Sequence, residues 1–277
     1  MAYAYDNEEF SRYYDTFVAE HVSNDEYFTD TVQQVYDEVI RRSFIPNQRA
    51  IVVDLGCGTG DDLMHFQNHF RNDNVQFIGI DHSQAMLTRA KEKLTNQAKH
   101  PIELLHGDLT NFAQCLPMKP VDCILLPAGT FHHLHSKIDR EQFVRNLVQV
   151  LRPDTGLFSI YLMPDAFIHT ELPPTENTEE KFRLISTENL PQTDDEEWIC
   201  KHTFELNVPP RIELSWQLRT CSIPKLIELL HSHGLEMLFF CLNGKDLLSY
   251  DEHLLSSLKS SSTPVILVFR TIKHTTN

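Results

Sequence analysis

The stretch VVDLGCGTG at residues 52–60 joins an apolar run to three closely spaced glycines, and FIGIDHS follows at residues 77–83. The apolar run predicts a buried strand, and the glycines predict a tight turn that leads into a helix. Such a turn directs backbone N–H groups and the positive end of the helix dipole toward an anionic group. The stretch therefore predicts a site for a nucleotide cofactor and leaves open which cofactor is bound.

The segments that follow alternate between two kinds of pattern. Short apolar runs predict strands at residues 51–55, 75–80, 102–109, 121–129 and 156–163. Helical periodicity is found between them, at residues 61–70, 83–94 and 139–151. Regular alternation of strands and helices predicts an α/β fold, with a parallel sheet, right-handed crossovers and helices on both faces.

The pattern changes after Met163. Residues 164–197 are rich in Pro, Thr and Glu and show no periodicity, whereas residues 198–207 and 211–222 predict an antiparallel pair of strands. A predicted amphipathic helix then ends at Gly234, and two more apolar runs predict core strands at 235–242 and 264–272. We therefore predict four parts: an N-terminal helical cap (1–45), a cofactor-binding core (46–163), a substrate-covering antiparallel β lid (164–220) and the end of the core (221–277).

Composition limits the classes of partner. The formal net charge is −15, and no basic run exceeds two residues, which disfavours a nucleic-acid partner. No apolar run reaches the ~20 residues that cross a bilayer, and residues 1–15 are polar and acidic, unlike a signal peptide. The six cysteines include no CxxC pair, which argues against a zinc site or a disulfide framework. We expect a cytoplasmic protein, monomeric or homodimeric, with a small-molecule substrate, no membrane partner and no metal.

Three acidic residues narrow the choice of cofactor. A dinucleotide turn needs a small residue where this chain has Asp61, three positions after Gly58, so the NAD interpretation loses support. Asp81 ends the second predicted strand, where a carboxylate can accept both hydroxyl groups of a ribose. Asp108 ends the third, at the sheet edge where ligands of open α/β folds bind. Its carboxylate could accept an adenine amino group while the N–H of Leu109 donates to the ring.

Taken in order, these motifs resemble those of class I S-adenosylmethionine-dependent methyltransferases. The resemblance lies in DLGCGTG (54–60), ID (80–81), GDL (107–109), LLPAGTFHHL (125–134), LRPDTGLF (151–158) and SRYYD (11–15). It covers residues 10–163 in motifs and 220–271 in architecture. It implies a Rossmann-like, seven-stranded, mostly parallel sheet whose last strand is antiparallel.

The resemblance also implies roles for individual residues. Asp54 is the acid that the family places before the first glycine, and Cys57 lies within the same motif. The glycines and the Pro127–Ala128 backbone would contact the methionine portion of S-adenosylmethionine. Its ribose would be bound by Asp81 and its adenine by His82, Met86, Asp108 and Leu109, while Tyr14 would close over the cofactor. The implied cofactor-binding residues are Tyr14, Asp54, Gly56, Cys57, Gly58, Asp81, His82, Met86, Asp108, Leu109, Pro127 and Ala128, with Tyr13 as the alternative to Tyr14.

Two histidines are the candidates for a catalytic base. His132 and His133 follow the fourth predicted strand, beside the expected methyl site, and histidine titrates near neutral pH. A base is needed if the acceptor is a hydroxyl or a protonated amine, but a neutral amine or a carboxylate needs none. In members of this family the same His-His-Leu sequence often does no more than shape the pocket. A catalytic role and a purely structural role therefore both stay open for these histidines.

The lid strands supply the candidates for substrate contacts. Strand alternation places Trp216 and Arg219 on opposite faces, so we expect only one of the two to reach the pocket. An inward-facing Arg219 would favour a carboxylate substrate, because a guanidinium pairs with a carboxylate through two hydrogen bonds. Tyr13, from the N-terminal segment, is the third candidate.

The leading hypothesis is therefore an S-adenosylmethionine-dependent methyltransferase that modifies O or N of a small molecule. The alternative is a protein that binds the same cofactor without transferring methyl, as a partner subunit or in another reaction on this fold. An NAD-dependent oxidoreductase and a protein or RNA methyltransferase are less favoured.

Overall fold

The computed structural model describes residues 2–21, 30–71, 73–95, 102–169, 181–190, 197–242, 246–250 and 264–272. The helices in chain order are α1 (Glu8–His21), α2 (Asp30–Arg42), α3 (Asp61–His69), α4 (Gln84–Thr95), α5 (Phe112–Cys115), α6 (Lys137–Val150), α7 (Asp165–His169) and α8 (Ile223–Ser232). The strands are β1 (Ala2–Tyr3), β2 (Ala50–Leu55), β3 (Val75–Asp81), β4 (Glu103–His106), β5 (Cys123–Leu126), β6 (Leu157–Leu162), β7 (Phe182–Asn189), β8 (Ile199–Leu206), β9 (Ile212–Arg219), β10 (Leu235–Leu242), β11 (Leu248–Ser249) and β12 (Val265–Thr271).

A large mixed sheet forms the centre of the molecule. Its strand order is β4-β3-β2-β5-β6-β12-β10-β11, and the first five strands are parallel. Strand β12 runs antiparallel to both of its neighbours, β6 and β10. The expected Rossmann-like sheet with an antiparallel last strand is therefore confirmed, and the two-residue strand β11 extends its edge.

Helices cover both faces of this sheet. One face packs against α2, α3 and α4, and the opposite face packs against α5, α6 and α8. Strands β5 and β6 are buried along their whole length, which explains their continuous apolar sequences. Phe143 of α6 illustrates the packing, because its ring meets those of Phe112, Phe131 and Phe158 at centroid distances of 5.8–5.9 Å.

A second, smaller sheet has the strand order β1-β9-β8-β7. The predicted pairing of two strands after residue 197 is confirmed, because β8 and β9 are antiparallel in a register that runs from Ile199–Arg219 to Leu206–Ile212. Helix α7 and strand β7 lie within the segment that we expected to be irregular. Strand β7 has weak alternation because its register shifts between Leu184 and Ser186. The rest of that segment, residues 170–180 and 191–196, lies outside the described residues.

The small sheet and helix α1 share one aromatic core. Trp216 of β9 stacks on Phe204 of β8 with centroids 4.3 Å apart, and Phe17 of α1 meets both rings at 5.4 and 5.7 Å. This core places α1 and the small sheet together over the carboxyl ends of β2, β3 and β5. Within the described residues, no helix is both long and apolar enough to cross a membrane.

Candidate functional site

The glycine turn after β2 depends on left-handed backbone conformations. Gly56, Gly58 and Gly60 have φ values of +74°, +52° and +83°, and α3 begins at the next residue. The N–H of Gly56 donates to the carbonyl of Ile80 at 2.7 Å, which holds the turn against β3. A Cβ atom on Gly56 would lie 2.5 Å from Cγ2 of Thr130, so this position excludes any side chain.

Asp81 lies at the carboxyl end of β3, beside this turn. Its Oδ2 accepts a hydrogen bond from the N–H of Gly58 at 2.9 Å, and its Oδ1 accepts one from the N–H of Ser83 at 2.8 Å. Burial raises the pKa of Asp81, and these two N–H donors oppose that rise. The carboxylate is thus oriented by the backbone before any ligand arrives.

A first cavity, of about 340 Å³, opens beside Asp81. It brings together residues from the turn and from the ends of β3, β4 and β5. Nine of the sequence-predicted cofactor residues line it: Tyr14, Gly56, Gly58, Asp81, His82, Met86, Asp108, Leu109 and Ala128. In Asp108, Oδ1 accepts hydrogen bonds from the N–H and the hydroxyl of Thr110. Those bonds orient this carboxylate at the cavity wall.

A second and larger cavity, of about 720 Å³, lies under α1 and the small sheet. It contains the remaining predicted cofactor residues, Asp54, Cys57 and Pro127, and the predicted substrate residue Trp216. The two cavities meet at shared wall residues, which are Tyr5, Tyr14, Gly56, Gly58, Ala128 and His133. The arrangement therefore offers two neighbouring compartments joined beside the glycine turn.

Asp54 is a buried carboxyl group in the wall of the second cavity. Its side chain is 1% exposed, and neither carboxylate oxygen has a hydrogen-bond partner among the described residues. Burial, followed by the nearby carboxylates of Asp62 and Asp81, raises its pKa well above the usual range. A buried carboxyl group without a partner requires a donor, and the ammonium group of a methionine moiety beside the turn would supply one. Asp54 and the glycine turn therefore fit the methionine moiety of S-adenosylmethionine.

Tyr5 and Tyr14 cover the junction between the cavities. Their ring centroids are 6.0 Å apart, and the Tyr5 ring meets His133 edge-to-face at 5.3 Å. The hydroxyl of Ser83 donates to the carbonyl of Tyr5, which attaches the N-terminus to the cofactor side. Burial raises the pKa of Tyr14 well above its usual value. Tyr5 was not predicted from the sequence, where its local signal is its place before α1 in another Tyr-Asp pair.

His132, one of the two predicted base candidates, is placed away from both cavities. Its ring is fully buried, with Nδ1 donating to the carbonyl of Arg219 at 2.7 Å and Nε2 accepting from the N–H of Met163 at 3.0 Å. Burial lowers the pKa of His132 to about 4, so the ring is neutral. Both ring nitrogens are used to join distant parts of the chain, and neither reaches a cavity.

His133 is the histidine at the junction, where it lines both cavities. Burial, followed by the neighbouring His135 and His132, lowers the pKa of His133 to about 3. The ring is therefore neutral at physiological pH. Of the two candidates, only His133 could contact a reacting group.

Two of the expected substrate residues lie elsewhere. Arg219 is 2% exposed and lines neither cavity. Its Nε donates to Oε2 of Glu197 at 2.8 Å, and its Nη1 donates to the carbonyl of His135 at 2.7 Å. Tyr13 also lines neither cavity, and its ring lies under the ammonium group of Lys181 at 3.8 Å. Alternation along β9 explains why Trp216 faces the second cavity while Arg219 points away.

The fold is that of class I S-adenosylmethionine-dependent methyltransferases, and the two cavities fit the cofactor of that class. Residues 52–154 match the sequence profile of a family described as "Methyltransferase domain". Three solved structures share the fold. They are an S-adenosylmethionine-dependent methyltransferase from Clostridium acetobutylicum (TM-score 0.72, 12% identity, 95% of this chain and 99% of that chain), the CcbJ methyltransferase from Streptomyces caelestis (0.68, 16%, 98% and 99%) and a sugar N-methyltransferase from Streptoalloteichus (0.63, 16%, 94% and 93%).

The curated relatives found by sequence similarity are carboxy-S-adenosyl-L-methionine synthases. The carboxy-S-adenosyl-L-methionine synthase of Shewanella pealeana is 29% identical over 153 residues, which cover 48% of this chain and 59% of the relative. The synthase of the same name from Wolinella succinogenes is 29% identical over 102 residues, covering 31% and 42%. The chain thus spans roughly half the length of these curated relatives.

Proposed function

We propose that this protein transfers a methyl group from S-adenosylmethionine to an amine nitrogen of a small molecule. One observation carries the proposal: a cavity that fits the cofactor joins a larger aromatic cavity that contains carboxylates. The junction lies at Gly56, Ala128 and His133. A donor in one compartment and an acceptor in the other would meet there.

The residues of the first cavity would hold the adenosine part of the cofactor. Asp81 already has its carboxylate oriented by two N–H groups, so it can accept the ribose hydroxyl groups at little entropic cost. Asp54 would accept hydrogen bonds from the ammonium group. When bound, S-adenosylmethionine supplies a methyl group that is already activated on a sulfonium.

The chain would contribute chiefly alignment and exclusion of water. Tyr5, Tyr14 and Trp216 place aromatic rings around the junction and remove it from bulk solvent. Positioning of reactants can supply about 7–11 kcal/mol of a barrier, which is enough for a donor that needs no further activation. His133, with its neutral ring, would form part of the wall at this point.

The lining of the second cavity favours a cationic or neutral amine acceptor. Besides Asp54, which would face the ammonium group of the cofactor, its walls carry aromatic rings and the carboxyl groups of Asp61 and Asp62, and the described lining residues include no Lys or Arg. Aromatic faces and carboxylates both attract ammonium groups. Proteins of similar fold include a sugar N-methyltransferase and a glycopeptide N-methyltransferase, which agree with this chemistry.

A second candidate is the formation of carboxy-S-adenosyl-L-methionine, the product for which the sequence relatives are named. Sequence similarity to these relatives, which reaches 29% identity over 153 residues, supports this candidate. The additional carboxylate would need a cationic partner, and the described walls of both cavities offer only histidines. For this reason we favour methyl transfer to an amine.

The test uses S-adenosylmethionine labelled in its methyl group, purified protein and an extract divided by cation exchange. Methyl transfer to an amine predicts a labelled product in the retained, cationic fraction, with no product for Asp81→Ala. Label in the unretained fraction alone would reject the amine acceptor. A cofactor derivative with an added carboxyl group, detected by mass spectrometry, would favour the second candidate. Absence of cofactor binding by calorimetry would refute both.

A further inference from the structure

Outside the two cavities, α2 and α3 bring together three side chains that commonly bind metals. Oδ2 of Asp37 lies 2.9 Å from Nε2 of His65 and 3.4 Å from Nδ1 of His69. The three atoms all lie within 4.8 Å of one another. His65 and His69 are four residues apart on α3, the spacing that places two imidazoles on one face of a helix.

The burial of these groups differs in a way that suits a metal site. Asp37 is 5% exposed, and its Oδ1 is buried without a hydrogen-bond partner among the described residues. The side chains of His65 and His69 are 27% and 42% exposed, which leaves a path from solvent. A buried carboxylate oxygen without a donor is costly, and a cation bound at this carboxylate would offset that cost.

The distances match those between neighbouring ligands of a small cation. Zinc binds imidazole nitrogen and carboxylate oxygen at about 2.0–2.2 Å, so two ligands of a tetrahedral zinc lie roughly 3.3 Å apart. The two distances from Asp37 to the histidines lie close to that value, and the two histidines also place ligand atoms within 4.8 Å of each other. Two imidazoles favour zinc and similar transition metals over magnesium and calcium, which prefer oxygen ligands.

We propose that Asp37, His65 and His69 form a binding site for one divalent transition-metal ion of the zinc type. Three protein ligands would leave the fourth position to water. This site goes beyond methyl transfer and does not depend on it, because none of the three residues lines either cavity.

A metal at this position would join α2 to α3. The same helix pair already has one polar contact, in which Nε2 of Gln33 donates to Oδ1 of Asp62 at 3.0 Å. Gln33 and Asp62 both line the second cavity. Metal binding would therefore stabilise the fold and restrain the wall of the compartment proposed for the acceptor.

The experiment titrates tag-free protein, stripped with a chelator, with Zn²⁺ in a calorimeter and with Co²⁺ in a spectrophotometer. The variants are His69→Gln, whose exposed side chain leaves folding intact, and Asp37→Asn; the control is His231→Gln, an exposed histidine on α8. We expect one Zn²⁺ per chain in wild type and control, a higher melting temperature with Zn²⁺, and a tetrahedral Co²⁺ spectrum. Both variants should bind at least about tenfold more weakly, a loss that even outer-shell groups produce.

Three results would overturn the proposal. One is wild-type protein that shows no saturable binding of either ion. Another is His69→Gln protein that binds Zn²⁺ as tightly as wild type, which would place the metal elsewhere. Magnesium serves as the comparison ion, and equal affinity for Mg²⁺ would also reject a nitrogen-containing site.

Discussion

The carboxylate of Asp81 accepts a hydrogen bond from the backbone N–H of Gly58 at 2.9 Å. This contact joins the end of β3 to the glycine turn after β2, across 23 residues of sequence. It means that the proposed ribose acceptor and the proposed methionine-binding backbone are positioned as one unit. A change in either residue should therefore affect the binding of the whole cofactor.

The Asp81→Asn variant tests whether the Asp81 carboxylate is needed for cofactor binding. An amide in place of the carboxylate removes the charge-assisted hydrogen bonds, which are worth about 1.5–3 kcal/mol. We expect S-adenosylhomocysteine to bind about 10- to 150-fold more weakly, as measured by calorimetry. The control is Asp6→Asn, which removes the same charge from an exposed position on the same cavity wall. Equal losses in the two variants would show that overall charge, and not the Asp81 contact, governs binding.

Two glycines of the turn allow a comparison of strain with steric overlap. Both Gly56 and Gly58 have positive φ, but only at Gly56 would an added Cβ overlap Thr130, whereas at Gly58 the nearest atom is Tyr14 Cε1 at 3.8 Å. Gly58→Ala should cost about 1–2 kcal/mol for the left-handed conformation alone. Gly56→Ala should lower the free energy of unfolding by more than that, in urea titrations. If the order is reversed, the turn has a different packing from the one described.

His132 makes a prediction about acid stability. A pKa of about 4 in the folded state and 6.5 in the unfolded chain means that the unfolded state takes up the proton first as the pH falls. The contribution of His132 is therefore complete above pH 6.5 and is lost between pH 6.5 and 4, by roughly 3 kcal/mol at about 1.4 kcal/mol per pH unit.

The measurement is the free energy of unfolding of wild type and His132→Gln against pH. The variant should be less stable at pH 7, by about 1–3 kcal/mol for each buried group left unpaired, and its stability should fall less steeply below pH 6.5. Parallel curves for the two proteins would show that His132 does not titrate as described.

His133 should behave differently from its neighbour, since it lies at the junction of the cavities. Its low pKa makes it a weak base, and a neutral amine acceptor needs no base, so we expect His133→Gln to lower kcat by less than about 100-fold. The pH dependence of kcat should keep its shape, and the melting temperature should change little. A lost acidic or basic limb in the variant would instead assign proton transfer to His133.

Glu197 is predicted to be essential for stability, because one of its oxygens is shared by two buried arginines. Oε2 accepts from Nη1 of Arg140 at 2.6 Å and from Nε of Arg219 at 2.8 Å. Glu197→Gln would leave buried positive charge uncompensated, at a cost of about 3–5 kcal/mol in thermal or urea unfolding. Glu38→Gln, in the exposed pair with Arg42, should cost less than about 1 kcal/mol. A small loss in both variants would contradict the buried network.

Whether a feature of this fold could be predicted depends on how far apart its interacting residues lie in the sequence. The strands and helices around the glycine turn were predictable because each is defined by periodicity over a few residues. Strand β7 was missed because a register shift interrupts its alternation. Tyr5 was missed because the Tyr-Asp pair that it forms with Asp6 does not by itself indicate that Tyr5 covers a junction formed by β2, β3 and β5.

The amino-acid sequence alone determined the α/β alternation, the left-handed glycine turn and the set of carboxylates at the strand ends, because local patterns and parallel pairing bring those groups to one edge of the sheet. Only the tertiary structure decided the roles of the neighbouring histidines. His132 is occupied by partners 87 and 31 residues away, while His133 faces the cavities. The tertiary structure also places Arg219 in a buried contact with Glu197 and places Asp37 next to His65 and His69. Contacts between residues so distant in sequence arise from packing, which no local pattern encodes.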